Sequence, residues 1–280
     1  MIGRRAWLVT LAATGLSTIF AGEAYGSAWP QKKGHGILIW HTHAYRAEER
    51  FDEQGRRGPL GDQGRFRSAV IQGWFEAGLT DAWTLVVTAP IMRLNYRDRW
   101  LQQESTGLGD VQAGIRRSLR GPENGWQVAA QVLAKAPAYG ASVRPRPGNG
   151  QADLEGSLLV GRSFPVAGRW GYVALESGYR KRWGRPADQL RGEGAVGMHL
   201  SSRVTVAGQL FAIRGLGSLQ PPERATNPLI EPRFDLYKAQ VSTIFWLAKG
   251  LGFQLGYLRD VAGRNVGAGD ALVIGLWQKF

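Results

Sequence analysis

Apolar and polar residues alternate with a period of two along most of the chain after residue 34. Between residues 126 and 135, for example, Trp126 and Val128 fall on one face, whereas Gln127, Gln131 and Lys135 fall on the other. A β-strand points successive side chains to opposite faces, so this pattern predicts strands rather than helices. We predict about twelve strands, at residues 34–47, 65–79, 82–96, 107–119, 125–137, 151–164, 169–183, 189–201, 203–215, 234–248, 250–260 and 267–280.

Short and long connections alternate between these strands. The short ones are residues 80–81, 121–124, 165–168, 201–202 and 249–250. Most of the others are longer, at 48–64, 97–106, 138–150, 184–188, 216–233 and 261–266. This arrangement is typical of outer-membrane barrels. We therefore predict an all-β fold, a transmembrane antiparallel β-barrel with short periplasmic turns and longer extracellular loops. A soluble β-sandwich or propeller also alternates, but its core faces should carry larger side chains than the Ala and Gly found here.

The last strand carries a further signal. Leu272, Ile274, Leu276 and the terminal Phe280 fall on one face. This aromatic end is similar to the assembly signal of bacterial outer-membrane barrels, and an even number of strands places both termini on the periplasmic side. Beyond residue 28 no run of about 18 apolar residues occurs, so we predict no transmembrane helix there.

The first 28 residues have the features of an export signal. Arg4 and Arg5 precede an apolar run from Ala6 to Phe20, and small residues follow up to Ala28. We predict a signal peptide over 1–28 and a barrel over 29–280, in the outer membrane of a Gram-negative-type envelope. A retained amphipathic or membrane-spanning helix is the alternative, but the apolar stretch is short for a span.

The composition of the chain limits which classes of binding partner are expected. The 280 residues include 35 Lys+Arg, 22 Asp+Glu and no Cys, with a net charge of +13. The absence of Cys excludes disulfides, thiolate metal sites and a Cys nucleophile. The basic residues are scattered, without the basic stripe and interleaved aromatics of a nucleic-acid binder. Outer-membrane lipid and lipopolysaccharide are the expected partners, together with a small solute, and we expect no cofactor.

Tryptophans near the predicted strand ends suggest an aromatic girdle at the membrane boundary. These residues are Trp83, Trp100, Trp126, Trp170, Trp183, Trp246 and Trp277. For Trp74 and Trp246, which the alternation places inside the barrel, core packing is the favoured reading.

Polar residues at alternate positions should line the lumen. The candidates are Trp74, Glu76, Asp110, Arg116, Lys135, Asp153, Glu155, Glu176, Arg180, Arg191, Glu193 and Lys238. Most of the charged ones should pair across strands and stiffen the wall. A subset at a constriction would select solutes by charge.

Two histidine patterns suggest other chemistry. His41 and His43 lie on one face of the first strand, spaced as two metal ligands would be, although two lumen imidazoles are the favoured reading. His199 and Ser201 also share a face and resemble the His-x-Ser element of outer-membrane phospholipases and lipid A deacylases. However, Ser201 leads into a short turn on the periplasmic side, whereas those enzymes act at the outer leaflet.

The segment Gly107 to Gly114, of sequence GLGDVQAG, resembles a recurring strand of the phenol meta-pathway outer-membrane proteins. Thr88-Ala89-Pro90 before it, and Ala134-Lys135-Ala136-Pro137 with Gln151 to Leu154 after it, fit the same pattern. That family usually has Lys-x-Pro-Thr-Gly where this chain has Ala138-Tyr139 in place of Thr-Gly. The resemblance implies an outer-membrane barrel that passes small, hydrophobic or aromatic compounds.

Three functional hypotheses follow. The first is a channel or facilitator for passive passage of small solutes. The second is a sealed barrel that anchors a partner through loops 48–64 and 216–233. The third is a lipid hydrolase that uses His199 and Ser201.

Overall fold

The computed structural model describes residues 28–121, 125–148, 150–184, 186–217 and 229–280. The predicted signal peptide, except for Ala28, lies outside these residues and stays a prediction. The strands are β1 (Gly36–Phe51), β2 (Arg57–Pro59), β3 (Arg65–Gly78), β4 (Trp83–Arg97), β5 (Gln102–Leu108), β6 (Asp110–Arg120), β7 (Trp126–Pro137), β8 (Asp153–Val166), β9 (Arg169–Arg182), β10 (Gln189–Ser201), β11 (Val204–Gly215), β12 (Ile230–Ala248) and β13 (Leu251–Lys279). A 3₁₀ turn spans Gly61–Gln63.

Eleven of these strands form a closed antiparallel barrel. Each pairs with the next in chain order, and β13 pairs with β1 to complete the circle. The two remaining strands, β2 and β5, lie outside the closed barrel. Strand β2 pairs only with the end of β1, and β5 pairs only with the end of β4. Closure leaves the wall without an open edge, as a β-structure in lipid requires. The prediction of an all-β antiparallel barrel is therefore confirmed.

The last element crosses the wall twice. It contains 29 residues, far more than the roughly 9–11 that one crossing needs. Residues 251–266 run antiparallel to β12, and residues 266–279 run antiparallel to β1. Since β1 and β12 themselves run in opposite directions, the chain must reverse between the two halves, and Asn265 has the positive φ of 56° that suits a turn. With this hairpin the barrel has twelve passes, in agreement with the separate segments 250–260 and 267–280 that the sequence predicts.

The outer and inner faces of the wall differ as the alternation predicts. Large apolar side chains on the outward positions are exposed, and those more than half exposed include Leu158, Leu175, Val196, Leu210, Val241 and Leu272. The inward positions of the same strands carry buried Gln127, Gln131, Ser157, Gln209 and Gln240. Such an apolar exterior is the surface that lipid acyl chains cover.

Among the described residues, no helix is long and apolar enough to span a membrane.

Several predicted connections need correction. Strand β12 begins at Ile230, inside the expected connection 216–233, and residues 262–264 of the expected connection 261–266 pair with β12 as part of β13. Residues 102–106 are not part of a loop but belong to β5. The predicted strand 107–119 is interrupted at Gly109, and β6 begins at Asp110. Strand β1 likewise continues to Phe51, into the expected loop 48–64.

The girdle differs from the prediction at Trp277, whereas Trp246 packs inside the barrel as its inward position predicts. Trp277 is only 2% exposed and, with Trp246, packs inside the barrel against Ile244. Both positions face inward, so these two rings fill the lumen near its periplasmic end. Trp100, Trp126, Trp170 and Trp183 are exposed on the outside, as expected.

Candidate functional site in the barrel lumen

A first charged network lies inside the barrel and joins side chains of β3, β6, β7, β8 and β9. Arg116, whose side chain is fully buried, lies 2.8 Å from a Glu76 carboxylate oxygen. Its guanidinium also donates to Gln131 Oε1 at 2.9 and 3.1 Å. On the far side, Ser157 Oγ donates to Glu176 at 2.7 Å. Register explains the meeting, because Arg116 stands directly opposite Gln131, and Gln131 opposite Ser157.

A second network lies nearer the extracellular side, on β6 to β10. Lys135 Nζ bridges two carboxylates, Asp110 at 2.6 Å and Asp153 at 2.9 Å. Glu155 accepts from Arg180 at 2.6 Å and lies 3.1 Å from Arg191. These charges are almost entirely buried except for Arg191, so each depends on its partners for the solvation that water would otherwise supply.

The 138–148 loop folds inward onto this second network. Tyr139 donates its hydroxyl to Asp110 at 2.9 Å, and Ser105 Oγ donates to the Pro145 carbonyl at 2.6 Å. Gly148 packs so closely on the Asp110 carboxylate that a Cβ there would collide with it. Burial, and then the neighbouring Asp110, raise the pKa of the Tyr139 phenol, so it remains a donor. The loop therefore narrows the lumen from its extracellular end.

The opposite wall carries an uncharged hydrogen-bonded chain. Gln240 donates to Gln209 at 3.0 Å, and Gln254 donates to Ser242 at 2.9 Å. Gln254 Oε1 accepts from the Trp277 indole at 2.8 Å and lies 3.1 Å from His41 Nε2. His41 is thus held by an amide and an indole ring rather than arranged around a metal. The described residues contain no group of three or more His, Cys, Asp or Glu that would hold one.

Between these walls lies a space that we call the central chamber. It is bordered by inward side chains that are only partly buried: His43, Gln72, Glu176, Arg191, Glu193, Phe211 and Lys238. The Arg191 and Lys238 side chains are 33% and 30% exposed, in contrast to the buried network charges. The chamber therefore offers both signs of charge, an imidazole and an aromatic ring to whatever enters it.

An apolar cluster, which we call the extracellular roof, covers part of the chamber on its extracellular side. It consists of Ala47, Leu60, Phe66, Leu94, Tyr96 and Leu229, with Tyr45 and Met92 against it. Leu60 and Leu229 lie outside the strands, so connecting segments as well as the wall contribute to the extracellular roof. A second apolar group adjoins it, made of Phe51, Phe234, Leu236, Val266 and Ala268.

A short amino-terminal strap, residues 28–33, lies inside the barrel near its periplasmic end. Ala28 packs on Ala129 and Leu159. Trp29 is 7% exposed and meets the Tyr172 ring edge-on at 6.4 Å. Further along, the Gln31 backbone N–H donates to Thr84 Oγ1 at 2.9 Å, and the Gln31 side-chain amide donates to Glu76 at 3.1 Å. The strap thus lies along the inner side of β3 to β9, which form one half of the barrel.

All twelve sequence-predicted lumen residues point inward, and most enter the two networks. Trp74 donates to Glu76 at 3.2 Å, and Lys238 lies 3.7 Å from Asp260. Three further inward residues were not predicted as candidates. Gln131 belongs to the first network, Arg182 lies 3.9 Å from Asp153 of the second, and Asp260 is the partner of Lys238. The strap was also not predicted, since no periodic pattern marks it.

His199 and Ser201 each contact a neighbouring residue of the β10–β11 turn and strands. His199 Nδ1 lies 2.8 Å from Thr205 Oγ1. Ser201 Oγ is exposed in the turn and accepts from the Arg203 amide at 3.2 Å. Ser201 therefore serves the turn, and His199 serves the lumen wall.

Comparisons with known proteins place the fold. No family model matches the chain, and no curated protein is similar to it in sequence. A crystal structure of an outer-membrane channel from Pseudomonas putida F1 is similar at 14% identity and a TM-score of 0.69, over 92% of this chain and 99% of that one. The NanC porin is similar at 11% identity and a TM-score of 0.51, over 87% of this chain and 100% of that one. With the apolar exterior, these likenesses show that the chain has the fold of the outer-membrane β-barrels.

Proposed function

We propose that this barrel is a narrow channel for passive passage of small solutes through the outer membrane. The observation that carries the proposal is the central chamber, where charged side chains inside the barrel remain partly exposed. A barrel built only as an anchor would fill its interior with wall side chains. Here the strap and the connecting segments lie at the two ends of the lumen, where noncovalent contacts hold them in place. Passage then requires these segments to move aside.

The solutes we propose are small molecules with an apolar, often aromatic, body and a polar group. The extracellular roof and Phe211 present an apolar surface at the entry side. The chamber beneath it presents Glu176, Arg191, Glu193 and Lys238, which suit a hydroxyl or a charged substituent. The resemblance to the phenol meta-pathway proteins supports this class. Faster entry of a hydroxylated benzene than of a sugar of similar mass into proteoliposomes would support the assignment, and equal rates would contradict it.

Replacing Arg191 by Gln should change the ion selectivity of the channel. Its guanidinium faces the chamber, and Glu155 keeps its contact with Arg180 after the change. One charge about 10 Å from a permeating ion contributes on the order of 1 kcal/mol at an effective dielectric constant of 20. Because this charge favours chloride and disfavours potassium by similar energies, we expect the chloride-over-potassium permeability ratio to fall roughly thirtyfold, measured as a reversal potential across a salt gradient.

The matched control is Arg214→Gln, which removes an exposed charge of the neighbouring strand β11. This variant should leave the reversal potential unchanged. Equal shifts in both variants would mean that surface charge, rather than the chamber, sets the selectivity.

A further inference from the structure

Five arginines form a patch on the outer face of β1, β3 and β4, at the end that leads into the longer connections. They are Arg46, Arg65, Arg67, Arg93 and Arg97, and all are exposed. Arg46 stands directly opposite Arg67, and Arg65 directly opposite Arg97. Like charges at directly opposed positions of a sheet are destabilising. This arrangement therefore costs stability unless an anion lies over it.

Acidic neighbours balance the patch only in part. Arg46 lies 3.4 Å from Asp270, Arg65 lies 3.8 Å from Glu48, and Arg93 lies 2.6 Å from Glu104. Within the part of the chain that the structure describes, Arg67 and Arg97 have no acidic partner. The three paired side chains are themselves 64–74% exposed, so these surface pairs are weak. Two positive charges remain in excess.

The patch lies directly beside the apolar exterior. Ala69, two positions from Arg67, stands opposite Arg93, and the next outward row contains Ile71, Ile91 and Leu108 in register with one another. These three side chains are 48%, 51% and 44% exposed. A ligand that covers both rows needs acyl chains for the isoleucine row and anionic groups for the arginines. This position, at the extracellular boundary of the membrane, is where the headgroups of the outer leaflet lie.

We propose that the arginine patch is a binding site for the phosphates of lipid A, the membrane anchor of lipopolysaccharide. The planar guanidinium pairs with phosphate through two parallel hydrogen bonds. Two opposed arginine pairs on adjacent strands suit a headgroup with two phosphates better than one with a single phosphate. The acyl chains then lie along Ile71 and Ile91. The site does not depend on the channel function.

The test compares the wild-type barrel with a variant in which Arg46, Arg65, Arg67 and Arg97 are all replaced by Gln. Each purified barrel is titrated with bis-phosphorylated lipid A in detergent, and bound lipid is measured by native mass spectrometry. Because each basic residue at a membrane surface contributes about 1 kcal/mol toward anionic lipid, we expect affinity to fall by more than about tenfold. Without lipid A, the variant should unfold at the wild-type temperature or above it, since like-charge pairs have been removed. Only the wild type should gain stability when lipid A is added.

The matched control replaces Arg117 and Arg162 by Gln. These arginines lie over Trp83 and Trp126 at 5.3 and 5.2 Å, near the short turns at the opposite end of the barrel. This control should bind lipid A as the wild type does. Equal loss in the control, or unchanged binding in the patch variant, would overturn the proposal. Equally tight binding of phosphatidylglycerol would also overturn it, because the site would then recognise any anionic lipid.

Discussion

Replacement of Arg116 by Met should destabilise the barrel more than any other single change considered for its lumen. The substitution leaves the Glu76 carboxylate, whose side chain is 4% exposed, without its cation. Gln31 and Trp74 still donate to it, but neither carries a charge. Removal of one partner of a buried ion pair costs about 3–5 kcal/mol. We expect the folded, heat-modifiable form to unfold at clearly lower urea concentration in lipid vesicles.

The neighbouring Arg117→Met variant is the control for this change. Arg117 faces outward and interacts with the Trp83 ring at 5.3 Å, a contact worth about 0.5–1 kcal/mol at an exposed site. A second variant that also changes Glu76 to Gln should recover much of the lost stability, because it removes the unpaired charge. If Arg116→Met and Arg117→Met unfold alike, the buried network does not stabilise the wall.

A disulfide between the strap and the wall should stop conduction. The Gln31 backbone nitrogen lies 2.9 Å from Thr84 Oγ1, so the two residues are neighbours, and we expect Gln31→Cys and Thr84→Cys to form a disulfide under oxidising conditions. The chain has no other Cys, so the bond forms without competition. Oxidised protein should show almost no current in a planar bilayer, because the strap then stays inside the lumen. Addition of a reductant should restore the current.

The single variant Gln31→Cys controls for the substitution and should conduct alike with and without reductant. Trp29→Ala provides an independent check. It removes the ring that packs on Tyr172 and Gly161, so the channel should be open for a larger fraction of the time. Current that is equal before and after reduction of the double variant would show that the strap does not gate passage.

Much of the fold could be predicted because lipid imposes a strict rule on every strand. Outward positions must be apolar, so the period-two pattern appears even in short segments; β10 has the predicted bounds, 189–201. Strand β5 was missed because it extends β4 at its extracellular end. Its sequence, Gln-Gln-Glu-Ser-Thr-Gly-Leu, pairs with the arginine-bearing end of β4 and has no apolar face to mark it.

The sequence was enough to predict which side chains of the candidate site point inward, but not which of them contact each other. Alternation is enough to place Glu76 and Arg116 inside, but their meeting depends on the stagger of β3, β4 and β6 in the closed barrel. The strap could not be predicted, since Trp29 packs by shape against Tyr172 and Ala195 and belongs to no repeating pattern. Trp277 was misplaced for a related reason. Nearness to a strand end indicates depth in the membrane, whereas the parity of the position decides which side of the wall a ring occupies.

The most direct test of the channel is the single-channel current of the purified wild-type protein in a planar bilayer. We expect small, discrete current steps that close often, because the lumen is narrow and has a strap and a roof at its ends. We also expect the strap to limit how long each step lasts. Openings should therefore be longer for Trp29→Ala. Absence of steps in both proteins, with no solute entry into liposomes, would contradict the account and leave a sealed barrel.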